Sequence, residues 1–169
     1  MVRTMSIQVT RISIGLRTPT FFALCLFCSI CFAAPPGSRT DDTEAMQKLY
    51  TGYGVASATL AGDLLFIGGL AAFNDDGSVY APNDGSRQMM KIISRLQNIL
   101  SQHNASAMNI VKVNSFVTDW DEFNAGYVNL TDWFDKAGAE YSSGTAVGVT
   151  SLAAEGLVVE MDFVAYLGD

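Results

Sequence analysis

Apolar positions along this chain follow two rhythms, a strand-like alternation and a helical three-to-four spacing, and their order outlines a domain. From Leu64 the run LLFIGGLAA is apolar on both faces and carries β-branched and aromatic members, which predicts a buried strand. It stops at Asn74-Asp75-Asp76-Gly77, a turn signal leading into a short second strand at Val79 and Tyr80. Met89, Ile93, Leu96 and Leu100 then recur at steps of four, three and four, with Arg87, Lys91 and Arg95 on the other face. With Asn83-Asp84 as a cap, the spacing predicts an amphipathic helix over roughly 84–102. Ile110 to Thr118 sets Val111, Val113, Ser115 and Val117 against Lys112, Asn114 and Phe116, a strand pattern. Phe123, Tyr127, Leu130 and Phe134 restore the helical spacing, predicting a helix over 121–136 that Lys136 and Gly138 suit as a C-terminus. Thr145 to Leu152 and Leu157 to Leu167, parted by Ala153-Ala154-Glu155-Gly156, read as a closing hairpin.

Strand, strand, helix, strand, helix, strand, strand is an α+β order, with two helices covering one sheet face. In the last strand Val159, Met161, Phe163 and Ala165 point toward the helices by their apolarity, while Val158, Glu160, Asp162 and Val164 point the other way. A face of that mixture is neither core nor ordinary surface and belongs to a subunit interface or a ligand cleft. With no layer to cover it inside one chain, it predicts association with further copies of the chain.

Ahead of this domain, residues 1–40 contain no Asp or Glu, carry Arg3, Arg11 and Arg17, and run apolar from Phe21 to Ala34. That run is shorter than the roughly 20 residues of a spanning helix, and Cys31 and Ala33 are small residues at −3 and −1 of a cut after Ala33. The profile is that of a signal peptide over 1–33, with a secreted or periplasmic product that is not held at a membrane after cleavage. Beside it stand an uncleaved anchor and an organelle transit peptide, the latter suggested by the acid-free, Arg- and Ser/Thr-bearing start. Residues 34–47, APPGSRTDDTEAMQ, lack apolar periodicity and read as a tether, so 34–50 is expected to be a flexible N-terminal segment before a domain over 51–169.

Composition narrows the chemistry. With 169 residues, 49% of them hydrophobic and 16% charged, the chain has the length of one domain and folds rather than staying disordered. A net charge of −7 opposes nucleic acid as a partner, because that affinity rests on neutralising phosphates. Cleavage after Ala33 removes Arg3, Arg11 and Arg17 and also Cys25, Cys28 and Cys31, so the remainder is more acidic, thiol-free and without thiol catalysis. One His and three Cys are too few for a structural zinc site. Neither a GxGxxG nor a GxxxxGK string occurs, and neither cofactor nor metal is expected.

Taken in order from Gly54 to Leu167, the blocks AGDLLFIGGLAAFNDDGSVY, IISRLQNIL, NIVKVNSFVTDWDEFNAGYVNLTDWF and GTAVGVTSLAAEGLVVEMDFVAYL resemble the RidA/YjgF family of imine deaminases and their endoribonuclease L-PSP-like relatives. The resemblance implies a chorismate-mutase-like α+β fold with a mixed six-stranded sheet, two helices on one face, and a homotrimer with small-molecule clefts between subunits. In active members an arginine of the penultimate strand grips the substrate carboxylate and a glutamate of the last strand holds the hydrolytic water for attack on a C=N carbon. An arginine supplies a bidentate fork, and a carboxylate orients or deprotonates water.

Carried over position by position, the glutamate falls on Glu160, the candidate catalytic residue, and the arginine falls on Gly144. The helix asparagine of the family falls on Tyr127, the N-terminal tyrosine on Val55 beside Tyr53, and the strand serine on Gly68. Backbone N–H groups near Ala146 remain as donors. Val55, Gly68, Tyr127, Gly144 and Ala146 are thus the expected ligand-binding positions. Losing a charge-assisted bidentate contact costs roughly 2–5 kcal/mol, so a 2-imino acid is expected to bind poorly and the cleft to favour a neutral or apolar ligand. One function that follows is small-molecule binding without arginine-dependent deamination. The other is hydrolysis of a different C=N or C–N substrate with Glu160 positioning water. An endoribonuclease role, held by some relatives, is opposed by the acidic charge and the lack of an Arg/Lys cluster.

Each candidate has a plainer reading. Glu160 suits a subunit seam beside Asp162, and Tyr127 lies on an aromatic stripe of the kind that usually forms core. His103 falls at a helix end, where a cation complements the dipole, and has no triad neighbours. Asn104-Ala105-Ser106 and Asn129-Leu130-Thr131 match the glycosylation acceptor pattern, the first in a loop and the second within a helix. Gly68-Gly69 marks either a close approach or a bulge.

Overall fold

In the computed structural model, which describes residues 38–40 and 43–168, the chain orders as β1 (Ser38–Thr40), α1 (Glu44–Gly52), β2 (Ala58–Ala61), β3 (Leu64–Ala71), α2 (Gly85–Ser101), a 3-10 turn (Ala107–Asn109), β4 (Ile110–Val117), α3 (Trp120–Ala137), β5 (Ser143–Gly148) and β6 (Val159–Tyr166). The leader over 1–33 lies outside the described residues.

Both long helices start at an aspartate, and α3 stops at the glycine its sequence offers. The Asp84 side chain accepts from the Arg87 N–H at the head of α2, and Asp119 accepts from the N–H groups of Asp121 and Glu122 at the head of α3. Each satisfies donors that the first helical turn leaves open. Gly138 ends α3 at φ 65°, a left-handed cap that glycine adopts at no steric cost.

The six strands pair in the order β1-β2-β3-β6-β4-β5. All neighbours run antiparallel except β4 and β5, which are parallel. The helix α3 explains the exception, since a chain that crosses over through a helix returns in the same direction. The last strand inserts between β3 and β4, and its alternation sets the layers. Val159, Met161, Phe163 and Ala165 are buried in one core with Leu65, Ile67 and Leu70 of β3, Met89, Ile92, Leu96 and Ile99 of α2, and Phe123, Leu130 and Phe134 of α3.

Four expectations are corrected. The closing segments form no hairpin: β5 pairs only with β4, and β4 stands between β5 and β6. Val79 and Tyr80 form no strand, only a single bridge from Val79 to Phe73, because Ala81 at φ 45° turns the chain away and Pro82 has no N–H to continue a ladder. The segment expected to be flexible, 34–50, holds β1 and most of α1, which the Thr43 side chain caps by accepting from Met46 N–H and which buries Met46. Val158 is buried rather than on the open face, since the strand begins one residue later.

On the face away from α2 and α3, one register row runs Thr59, Phe66, Val164, Lys112 and Ser143 across five strands. Leu64, Phe66, Val147 and Tyr166 are exposed large apolar residues of this face, interleaved with Glu160, Asp162 and Asn114. Asn114 Nδ2 donates to Asp162 Oδ1 at 2.7 Å.

Candidate functional site

Toward the helices, β5 presents Gly144 and Ala146, the neighbours of buried Val113 and Ser115 on β4. Because these side chains are so small, α3 does not close onto the sheet there, and a cavity of about 370 Å³ remains. Its apolar wall is Val113, Phe123, Leu130, Phe134, Gly144 and Ala146, and its polar rim is Ser115, Tyr127, Thr131, Tyr141, Ser142 and Thr145. None of these carries a formal charge at neutral pH. Tyr127 keeps its place on the aromatic stripe, tilted against Phe123 with ring centroids 5.3 Å apart, but it is 42% exposed and not core. The Tyr141 hydroxyl donates to Asp135 Oδ1 at 2.7 Å, a bond that raises the phenol's pKa, with slight burial and nearby acidic charges adding to it.

The cavity therefore gathers Tyr127, Gly144 and Ala146 of the expected positions. Glu160, Gly68 and Val55 stand elsewhere. Glu160 faces the open side of the sheet, paired with Ala71 on one side and Phe116 on the other. Beneath it the β3 ladder shifts register between Ile67 and Leu70, so the glycine pair marks a bulge. Gly68 N–H donates to Ser57 O at 2.9 Å, and a side chain on Gly68 would press on Ala56 O, which places Gly68 against the segment that begins with exposed Val55. Burial pushes the Glu160 carboxyl above its ordinary value, the Asp162 charge adds to the rise, and the Arg95 guanidinium opposes it.

Around Glu160, Gly69 gives the close approach that the glycine pair offered, while Tyr50 and Arg95 carry no site signal in the sequence. Arg95 was assigned to the polar face with Arg87 and Lys91, yet it is 4% exposed. Gln88, Ile92, Arg95 and Ile99 are all buried, a second four-three-four row that was present in the sequence but carried two polar members. Gln88 justifies its place by bonding, for its Nε2 donates to Ala81 O and Gly156 O while its Oε1 accepts from Val158 N–H at 2.8 Å.

The remaining candidates separate cleanly. Burial lowers the pKa of His103, against the helix-end expectation of a favoured cation. Asn129 Nδ2 donates to Ser86 Oγ at 3.0 Å and so is tied to α2, whereas Asn104 is exposed in a left-handed turn at φ 55°. Among the described residues no group of three or more His, Cys, Asp or Glu is arranged to hold a metal ion, and no helix is long and apolar enough to cross a membrane.

The family model for endoribonuclease L-PSP matches residues 46–167. Solved structures share the fold. The Rid-family protein YyfA of Yersinia pestis is 23% identical, covering 66% of this chain and 86% of its own, with a TM-score of 0.60. Rv2704 of Mycobacterium tuberculosis, from the YjgF/YER057c/UK114 family, is 24% identical and covers 76% of this chain and 99% of its own at a TM-score of 0.61. Escherichia coli TdcF, solved with bound serine, is 21% identical over 66% of this chain and 87% of its own, with a TM-score of 0.60.

Proposed function

The chain belongs to the endoribonuclease L-PSP family, that of the RidA/YjgF proteins, and we propose that it binds a small uncharged molecule in clefts between the subunits of a homotrimer, without the deamination of 2-imino acids. The observation that carries this reading is the charge-free lining of the cavity between α3 and β5, which agrees with the carry-over from the resemblance that sets Gly144 in place of the carboxylate-gripping arginine. A carboxylate entering there gives up water and gains no cation in return, a loss that buried ionic contacts normally offset. An amide, a ketone or an aromatic ring meets aromatic walls and a rim of hydroxyl groups instead. The serine bound to TdcF carries a carboxylate, and this chain is read as having turned away from that ligand type. Trimer formation is supported by exposed Leu64, Phe66, Val147 and Tyr166 on the open sheet face, apolar area that a single chain does not cover. The leader over 1–33 is read as an export signal, making the protein secreted or periplasmic.

A second reading, hydrolysis of an uncharged C=N or C–N substrate, is favoured by one observation: the Glu160 carboxyl is raised by burial, which brings it closer to the range where a carboxylate accepts and returns protons at neutral pH. Calorimetry with 2-oxobutanoate and 2-oxobutanamide, a pair of equal shape and different charge, tests the first reading. The amide is expected to bind at least as tightly as the acid. A preference for the acid of about tenfold or more, the margin of 1.4 kcal/mol, overturns it.

A further inference from the structure

Glu160 stands over a backbone that two side chains from outside the sheet hold in place. Arg95 reaches up from α2, its Nη1 donating to Ala71 O at 2.5 Å and its Nη2 to the Tyr50 hydroxyl at 2.9 Å. Tyr50, from α1, donates in turn to Gly69 O at 2.8 Å, and the guanidinium lies over its ring, 5.4 Å from the centroid. The two carbonyls so captured belong to the residues that define the place of Glu160. Ala71 is its cross-strand partner, and the absent side chain of Gly69 is the space its carboxylate occupies.

Both carbonyls adjoin the register shift between Ile67 and Leu70. At a bulge the ladder no longer dictates the position of each peptide group, so bonds from elsewhere decide it. Arginine suits this work because its fork is planar and its donors keep a fixed spacing, and the phenol extends that reach by one more bond. We infer that Arg95 and Tyr50 are a positioning pair for Glu160, locking the Gly69–Ala71 backbone and thereby fixing where the carboxylate stands and how near a cation it lies.

The charged groups acting on Glu160 are Asp162 on its own strand and Arg95 from α2, while β3 and β4 set only Ala71 and Phe116 opposite it. The inference rests on the second reading, in which Glu160 positions water for hydrolysis, but its test reads the carboxyl group itself, so the two fail separately.

Protein purified from expression of the full chain, with ¹³C-labelled glutamate, gives the titration of the Glu160 Cδ resonance, assigned by its loss in Glu160→Gln. Arg95→Gln is expected to raise the midpoint by about half a unit or more, as removal of a nearby opposite charge does. Tyr50→Phe shifts it in the same direction by less, and Arg95→Lys, with the charge but not the fork, falls between wild type and Arg95→Gln. Titrations that superimpose on wild type in Arg95→Gln and Tyr50→Phe, with only a lowered Tm, overturn the inference and leave the pair a purely structural one. If Arg95→Gln does not fold, Tyr50→Phe decides alone, an unmoved midpoint contradicting the proposal.

Discussion

Glu160 and Gly69 share one space: a methyl group built on Gly69 would overlap Glu160 Oε1 and come within 3.0 Å of its Cδ. The obstacle is the far end of a flexible side chain, not backbone, so Gly69→Ala displaces the carboxylate rather than the sheet. The variant is expected to lose about 1 kcal/mol or less in denaturant unfolding, in the range of changes that rearrange one side chain. Any ligand or turnover signal that Glu160→Gln abolishes falls in Gly69→Ala as well.

A different outcome holds where α2 and α3 cross. A Cβ on Gly126 would run into the backbone carbonyl of Gly85, while the Gly85 N–H donates to Glu122 Oε2 at 3.0 Å. Backbone cannot rotate away, so Gly126→Ala overpacks the crossing and costs roughly 1–3 kcal/mol. Urea unfolding measures it, and a loss equal to that of Gly69→Ala would show that the crossing is looser than these contacts imply.

The raised carboxyl of Glu160 makes stability depend on pH with a definite sign. Its ordinary value is 4.5, and burial with the Asp162 charge lifts it in the fold. Between the two values the folded chain holds a proton that the unfolded chain has released, so stability is full below the window and declines as pH rises through it. Glu160→Gln cannot ionise and escapes that decline. Its Tm is expected to exceed that of wild type at pH 7, with the gap closing as pH falls to about 4.

Phe66 sits near the middle of the open face, paired with Thr59 and Val164. If that face is the seam of a trimer, light scattering at micromolar concentration reads three copies for wild type and one for Phe66→Glu, since a charge in the centre of an apolar interface lacks a partner. A wild-type protein that is a single copy contradicts the trimer.

Much of this architecture was legible because local and global signals agree. Asp84 marks the start of α2, Gly138 marks the end of α3, and the alternation from Val159 to Ala165 names the buried side of β6. The pairing of β5 was not legible, since short apolar segments separated by a turn-like stretch fit a hairpin or two separate strands equally well, and the choice depends on β6 filling the slot beside β4. Nor was α1, whose polar sequence hides a helix anchored by Met46 and Tyr50. The site divides in the same way. The positions of Glu160, Gly144 and Tyr127 could be carried over one by one, but Arg95 and Tyr50 act through backbone carbonyls of a bulge, which leaves no side-chain motif to read.

The charge-free cleft is tested most directly by turnover of enzymatically generated 2-iminopropanoate by wild type, Glu160→Gln and Gly144→Arg. A Cβ at position 144 would stand 3.3 Å from Val113 O, so a small local adjustment admits the arginine side chain. Silence in wild type and in Glu160→Gln, with turnover appearing in Gly144→Arg, is the predicted result. Robust wild-type turnover that Glu160→Gln abolishes would mean that the site processes 2-imino acids without the arginine, and would contradict it.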